Sequence, residues 1–210
     1  MPSDRIVIRE LKPSLAADYF DFFDDVYDND PWLNSKDNPW WGGCYCSFWD
    51  DLREEDEINS SKDKRSANRT ARLRMIEEAK ASGLLAYQEG KVIGWCNIAP
   101  RSNYINLRNL KAAVEDSSER VGSIMCFVVS AGHRGSGVAP RLLQSACDLI
   151  KSWRIPIAEG YPRNPEAATN NPYNIPKLNL GFRGSLNMFL RSGFHVHRNL
   201  ERFIVVRKAV

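Results

Sequence analysis

Apolar and polar positions change their period several times along the chain, and each change marks a predicted element. Ile6 and Ile8 alternate with polar neighbours across Arg5–Glu10, as in a half-buried strand. Pro13 opens a helical stretch through Phe23, with Leu15, Tyr19, Phe22, Phe23 and Val26 at helical spacing. Neither period holds in Asp28–Asp51, where Trp32, Trp40, Trp41 and Trp49 stand among glycine, proline and asparagine; an aromatic-rich loop is expected. Asp50–Ala81 is a highly charged helical stretch. It is best supported over Asn68–Lys80 by Leu73, Ile76 and Ala79, with Gly83 as its expected C-cap.

Leu84–Tyr87, the turn Gln88–Lys91 and Val92–Ala99 read as a β-hairpin. Ser102–Ser118 is polar and irregular. Ile124–Val129 is a continuous apolar run, which suits a strand covered on both faces and therefore central. After the glycine-rich turn Ala131–Gly137, Ala139, Leu142, Leu143, Ala146, Cys147 and Ile150 trace one helical face, with Pro140 in the first turn. Ile155–Tyr161 reads as a strand and Pro162–Gly184 as a long loop. Ser185–Ser192 is a short helix closed by Gly193, and Phe194–His197 with Arg202–Arg207 make a last hairpin.

These elements predict an α/β fold: a mixed, mainly antiparallel sheet of six or seven strands flanked by helices. The 210 residues suit one domain with an aromatic and acidic insert-like segment at about 28–66. No apolar run approaches the roughly 20 residues of a membrane span, and the N-terminus lacks a signal core, so a cytoplasmic location is expected.

Charge sharpens the picture. Residues 1–60 hold fifteen acidic and five basic side chains, whereas residues 61–210 hold eleven acidic and twenty-four basic ones. The basic residues are scattered and follow no helix-turn-helix or zinc-finger spacing, so a nucleic-acid partner is not expected. Five cysteines include one close pair, Cys44 and Cys46. Zinc knuckles usually space ligands C-x2-C and need two more ligands; His195 and His197 could supply them, but alternation within a strand explains that pair as well, so no metal site is expected.

The strongest local signal is strand, Arg134-Gly135-Ser136-Gly137-Val138-Ala139, helix. Glycines permit positive φ and close approach of a ligand to the backbone. The helix start presents unpaired N–H groups and the positive end of its dipole, an anion site suited to a pyrophosphate. Arg134 adds a permanent charge at the rim. A nucleoside-triphosphate loop would need Gly-Lys-Ser/Thr, which is missing. A dinucleotide fingerprint would need a third glycine where Pro140 stands, although Glu159 lies at the distance of a ribose-binding acid; a dinucleotide-dependent oxidoreductase is the weaker reading.

Arg134–Ala139 resembles the R-x-x-G-x-G/A motif of the GNAT N-acetyltransferase superfamily. The preceding hairpin and central strand, the following helix and strand, and the short helix ending in Gly193-Phe194 agree with it over residues 84–207. Gly94-Trp95-Cys96, Cys126–Val129, Glu159–Pro162 and Met188-Phe189 look like a bacterial branch of that superfamily. The resemblance implies acetyl-CoA as co-substrate. It implies backbone amides of Arg134, Gly135, Ser136, Gly137, Val138 and Ala139 on the pyrophosphate, and Phe127, Val128 and Val129 along the pantetheine arm. Ser185 and Phe189 fall on cofactor-side positions of the short helix.

One departure stands out. Many relatives carry a tyrosine acid four residues before the Gly-Phe pair, and here that position is Phe189. Tyr161, Tyr173 and Ser185 are the alternatives, with Tyr161 first because its strand should border the thioester. An alkyl ammonium has a pKa near 10.4, so reaching the nucleophilic amine at pH 7 costs about 4–5 kcal/mol and calls for a base. Glu159, on an otherwise apolar strand, is the expected one.

The reading is therefore acetyl transfer from acetyl-CoA to a primary amine by direct attack in a ternary complex, on a small-molecule or peptide acceptor. The alternative is an acyl-CoA-binding regulatory module without turnover. A homodimer is left open. The acidic, aromatic segment, including Asp24, Asp25, Asp28 and Asp30, is expected to attract a cationic amine.

Overall fold

The computed structural model describes residues 5–31, 43–50, 53, 63–109, 118–166 and 182–210. Seven strands form one sheet in the order β1-β2-β3-β4-β5-β7-β6. They are β1 (Val7–Glu10), β2 (Gly83–Gln88), β3 (Lys91–Pro100), β4 (Val121–Val129), β5 (Ile157–Gly160), β6 (His195–Asn199) and β7 (Ile204–Ala209). All neighbours are antiparallel except β4 and β5, which run parallel. This is the mixed, mainly antiparallel sheet that the periodicity predicts.

Helices cover both faces. On one side lie α1 (Ala16–Asn29) and α2 (Lys64–Glu77), which bury Tyr19, Phe23, Val26, Met75 and Ile76 against Trp95, Met125 and Val205. On the other lie α4 (Val138–Ser152) and α5 (Leu186–Arg191). Leu142, Leu143, Ala146 and Ile150 of α4 form the stripe read from the sequence and pack on Ile98, Ile124 and Ala158. A five-residue helix, α3 (Ile105–Asn109), follows β3 in the stretch expected to be irregular.

Several boundaries differ from expectation. The first helix runs on to Asn29, because Val26 and Tyr27 add a further buried turn where the sequence turns acidic. α2 stops at Glu77 with Ala79 in the left-handed region (φ 53°), so Gly83 is not its cap. Gly83 instead opens β2 beneath Trp95, whose ring would lie 2.1 Å from a Cβ there. At its start α2 is capped as helices usually are: the Asp63 carboxylate accepts from Ser66 N at 3.0 Å. Trp32, Trp40, Trp41 and Tyr173 lie outside the described residues.

Candidate active site

The central strands fork. β4 and β5 pair from Val121↔Ile157 to Ile124↔Gly160, and β4 then continues alone to Val129 along β3. Asn97 and Ile98 of β3 face Cys126 and Ile124, so Met125 is an extra, bulged residue at the fork. A bulge bends its strand and increases the local twist. Beyond it, Ser130 N donates to Ile93 O at 3.1 Å. Backbone groups alternate sides along an antiparallel strand, so Val128 faces β3 while Phe127 and Val129 present theirs to the open side.

That open edge forms one wall of a cavity of about 490 Å³. Its lining combines Phe127, Val128 and Val129 with His133, Arg134, Gly135, Gly137, Val138, Ala139 and Pro140, and with Phe182, Gly184, Ser185 and Met188. Gly135 (φ 78°) and Gly137 (φ 85°) both need the left-handed conformation, and a Cβ on either would meet nothing within 4 Å. The first bond of the α4 ladder runs from Arg141 N to Gly137 O at 3.3 Å, and Pro140 has no donor. The N–H groups of Val138 and Ala139 thus precede the ladder at the positive end of a fifteen-residue helix. The Arg134 guanidinium donates from Nε to Val129 O at 3.1 Å and pairs through Nη2 with the buried Asp30 carboxylate at the end of α1.

The expected cofactor residues mostly converge here, with two exceptions. Ser136 turns away from the cavity: both its N–H and its Oγ–H are spent on His133 O, at 3.4 and 2.6 Å. Phe189 is fully buried behind the site. Its ring fills the space above Gly160, where a Cβ would lie 2.4 Å from Cε1, and packs edge-on against Phe127 and Phe194. The aromatic ring packs at the fork and is not among the cavity-lining residues. Ser185 lines the cavity while its Oγ caps α5 by accepting from Met188 N at 3.1 Å.

Glu159 and Tyr161 are brought together, beside the fork and off the cavity lining. Both are fully buried. Glu159 Oε2 accepts from Arg207 Nε at 2.6 Å, and Oε1 accepts from Arg101 Nη1 at 3.4 Å and from the Tyr161 hydroxyl. Ser123 Oγ lies 2.9 Å from the same hydroxyl. Arg207 also grips Glu119 with both terminal nitrogens, at 3.0 and 2.7 Å. Burial, and next the Glu159 carboxylate, push the Tyr161 phenol well above its ordinary value, so it stays protonated.

The acidic segment is engaged within the protein. Asp24 pairs with Arg69 at 3.2 Å and Arg65 at 3.5 Å, and accepts from the Tyr45 hydroxyl at 2.5 Å. Asp28 pairs with Arg65 at 2.6 Å, Asp25 accepts from Asn29 at 2.7 Å, and Asp30 holds Arg134. Trp49 does stack on a cation, but the cation is Arg183 of the same chain, whose Cζ lies 4.7 Å from the ring centroid. The expectation of free acids drawing in a cationic amine is corrected on these contacts. His133, Phe182, Gly184 and Met188 were not anticipated. His133 directly precedes the motif, which is a usable signal; the other three fall in a region whose pattern only says loop and short helix.

The two parallel strands part at the fork, and a glycine-rich turn at its mouth leaves the N–H groups of a helix start open to an anionic ligand. The model of the Acetyltransferase (GNAT) family matches residues 19–168, and the chain belongs to that family. Acetyl-CoA is the family's co-substrate, and the chain is an acyltransferase by that membership. Solved structures agree in fold. A GNAT-family acetyltransferase from Listeria monocytogenes has 15% identity and a TM-score of 0.54, with 98% of this chain and 95% of that one covered. A putative acetyltransferase from Salmonella typhimurium, solved with its cofactor acetyl-CoA, has 12% identity and a TM-score of 0.53, covering 97% and 93%. An N-acetyltransferase from Thermoplasma acidophilum in complex with coenzyme A has 13% identity and a TM-score of 0.53, covering 98% and 99%. Compared by sequence with curated proteins, the chain has no significant match. Among the described residues, no helix is long and apolar enough to cross a membrane.

Proposed function

We propose that this protein transfers an acetyl group from acetyl-CoA to a primary amine by direct attack in a ternary complex. The observation that carries the reading is the 490 Å³ cavity, with an unpaired strand edge on one side and the free N–H groups of a helix start on the other. Both glycines of the turn leave open space where a side chain would intrude, which fits a pyrophosphate lying against the backbone. Acetyl-CoA supplies the activated acyl group, whose carbonyl carbon forms the new C–N bond as the C–S bond breaks; the thiolate leaves and takes up a proton from water, while the nitrogen gives up one of its own.

The chain's share is to bind, orient and move protons. Gly135, Gly137, Val138 and Ala139 hold the pyrophosphate, with Arg134 at the rim. Phe127 pairs with the pantetheine amides together with the Val129 N–H, the Val129 carbonyl being held by Arg134 Nε, and this aims the thioester at the fork beside Met125. One proton must leave the attacking nitrogen. Glu159 takes that role in this proposal through the Tyr161 hydroxyl, which donates to it beside the fork. Five free cysteines suit the reducing cytoplasm as the place of work.

Thiol release from acetyl-CoA over a panel of amines tests the reading: release that requires an amine is expected, and binding of acetyl-CoA with no release over the panel would overturn it. Glu159→Gln tests the proton route. A fall in kcat of about 10²–10⁴-fold with a changed pH profile is expected of a proton acceptor. An unchanged profile, with folding confirmed, would confine Glu159 to holding the strands.

A further inference from the structure

The segment Phe182-Arg183-Gly184 crosses the open side of the fork. Phe182 and Gly184 line the cavity, and between them Arg183 reaches the opposite, α1 side of the sheet. There its guanidinium carbon lies 4.7 Å from the Trp49 ring centroid and 5.0 Å from that of Phe203. Phe203 in turn packs edge-on against Tyr161 at 6.3 Å. The half-buried Arg183 thus stands at the fork on the side away from α4.

Its surroundings are unlike those of Arg72, Arg101, Arg207 and Arg134. Arg72 pairs with Asp50 at 2.8 Å, Arg101 and Arg207 share Glu159 and Glu119, and Arg134 pairs with Asp30. Arg183 has ring partners, but among the described residues no carboxylate pairs with it and no carbonyl accepts from it. Burial lowers its pKa, and the nearby polar groups felt there are the Cys126 thiol and the Tyr161 phenol rather than an acid. A guanidinium taken from water without a counter-charge is unfavourable until an anion meets it. With the aromatic rings packed against it, its open N–H donors offer the in-plane fork that a carboxylate accepts in two parallel bonds.

We infer that Arg183, clamped by Trp49 and Phe203, binds the carboxylate of the acceptor, so that the acceptor is a small amino carboxylate such as a free amino acid. This deepens the acetyl-transfer reading and rests on it for the position of the amine. The reading favours acceptors with a negative group over polyamines and simple alkylamines, which would bring a second cation beside Arg183.

The test compares amines that differ only in the carboxylate: phenylalanine with phenethylamine, arginine with agmatine, and, as a phosphate arm, phosphoethanolamine with ethanolamine. The wild-type enzyme should favour the carboxylate-bearing partner in kcat/KM by about 10- to 100-fold, the range of a charged hydrogen-bonded pair. Arg183→Met should erase that ratio, lowering kcat/KM for the carboxylate-bearing amines and raising it for agmatine, while leaving KM for acetyl-CoA near wild type; Arg183→Lys should restore only part of it. Equal losses for both members of each pair would make Arg183 structural and overturn the proposal. So would a preference for the phosphate-bearing amine alone, or no preference. Calorimetry of the amino acids against the CoA-saturated protein separates this from the acetyl-transfer reading. Binding that is lost in Arg183→Met, without thiol release, would keep the carboxylate site and overturn turnover. Release with amines but no carboxylate-dependent binding would do the reverse.

Discussion

Glu159→Gln should destabilise the protein more than any other single neutralisation of a carboxylate in the β5–β7 region. The wild-type side chain is fully buried, with Arg207 Nε at 2.6 Å, Arg101 Nη1 at 3.4 Å and the Tyr161 hydroxyl around its two oxygens. Removing one member of a buried ion pair usually costs about 3–5 kcal/mol, since the partner is left charged and dry. Two features hold the loss near the lower end. Arg207 keeps two contacts to Glu119, at 3.0 and 2.7 Å, and Arg101 keeps Glu119 at 3.7 Å. The amide oxygen of glutamine can also still accept one hydrogen bond, although its NH2 then faces a donor. The expected loss is about 3 kcal/mol. With a urea m-value of about 2 kcal/mol/M, the unfolding midpoint should drop by about 1.5 M at unchanged slope, followed by tryptophan fluorescence. Glu119→Gln is the control: the Glu119 side chain is 31% exposed, so solvent can replace part of what it gives and its loss should be clearly smaller. A shift below about 0.3 M for Glu159→Gln, or an equal shift for Glu119→Gln, would refute the picture of a buried charge hub.

Gly137→Ala and Gly90→Ala both place a side chain at positive φ, 85° and 79°, in open space, so each should lose about 1–2 kcal/mol in urea unfolding. Only Gly137→Ala should raise KM for acetyl-CoA, by about tenfold, because only its Cβ enters the anion cradle; equal KM values in the two variants would contradict the cradle. Burial pushes the Cys44 and Cys147 thiols up to about 11 from 9.0. Since the unfolded thiols ionise first, stability should be intact below about pH 9 and fall as pH rises to about 11, with urea midpoints at pH 8, 9.5 and 11 as the check. Neutralising Asp24 and Asp28 together should leave KM for the amine unchanged and lower stability only slightly, because both acids serve ion pairs that solvent reaches. A selective rise in KM for the amine would restore them to the acceptor site.

The sheet was largely legible in the sequence because its signals are local. The six-residue run Ile124–Val129 announces a strand covered on both faces, and the stripe Leu142, Leu143, Ala146, Ile150 announces the helix that covers one of them. The anion turn was legible for the same reason, since glycine spacing and helix start lie within six residues. What could not be read was pairing at a distance. Glu159 stood out as a lone acid on an apolar strand, but its partners Arg207 and Arg101 are 48 and 58 residues away, and nothing local distinguishes them from surface arginines. Phe189 was placed from the family's helix pattern, where position alone cannot tell a ring that faces the cofactor from one that fills the hollow above Gly160. Arg183 had no signal at all: its meaning comes from Trp49 and Phe203, which the sequence leaves far apart.

The split between an acidic first stretch and a basic remainder acquires a different sense once these pairings are known. Four of its acids are internal counter-charges: Asp24 and Asp28 bind α2 through Arg65 and Arg69, Asp50 neutralises the wholly buried Arg72, and Asp30 ties the end of α1 to Arg134 of the anion turn. An acid so paired projects little field toward a passing amine, because the pair acts as a short dipole that solvent screens. Arg183, by contrast, stacks on two rings and meets no described acid, at the fork, on the side opposite α4. Attraction on the acceptor side therefore runs to an anion. An amine without one must approach a half-dry guanidinium as a like charge, which disfavours it in a medium where such repulsion is strong. An amino carboxylate reverses the sign at that step and brings its nitrogen in with the carboxylate as anchor. Specificity then comes from one unpaired cation as much as from the shape of the gap.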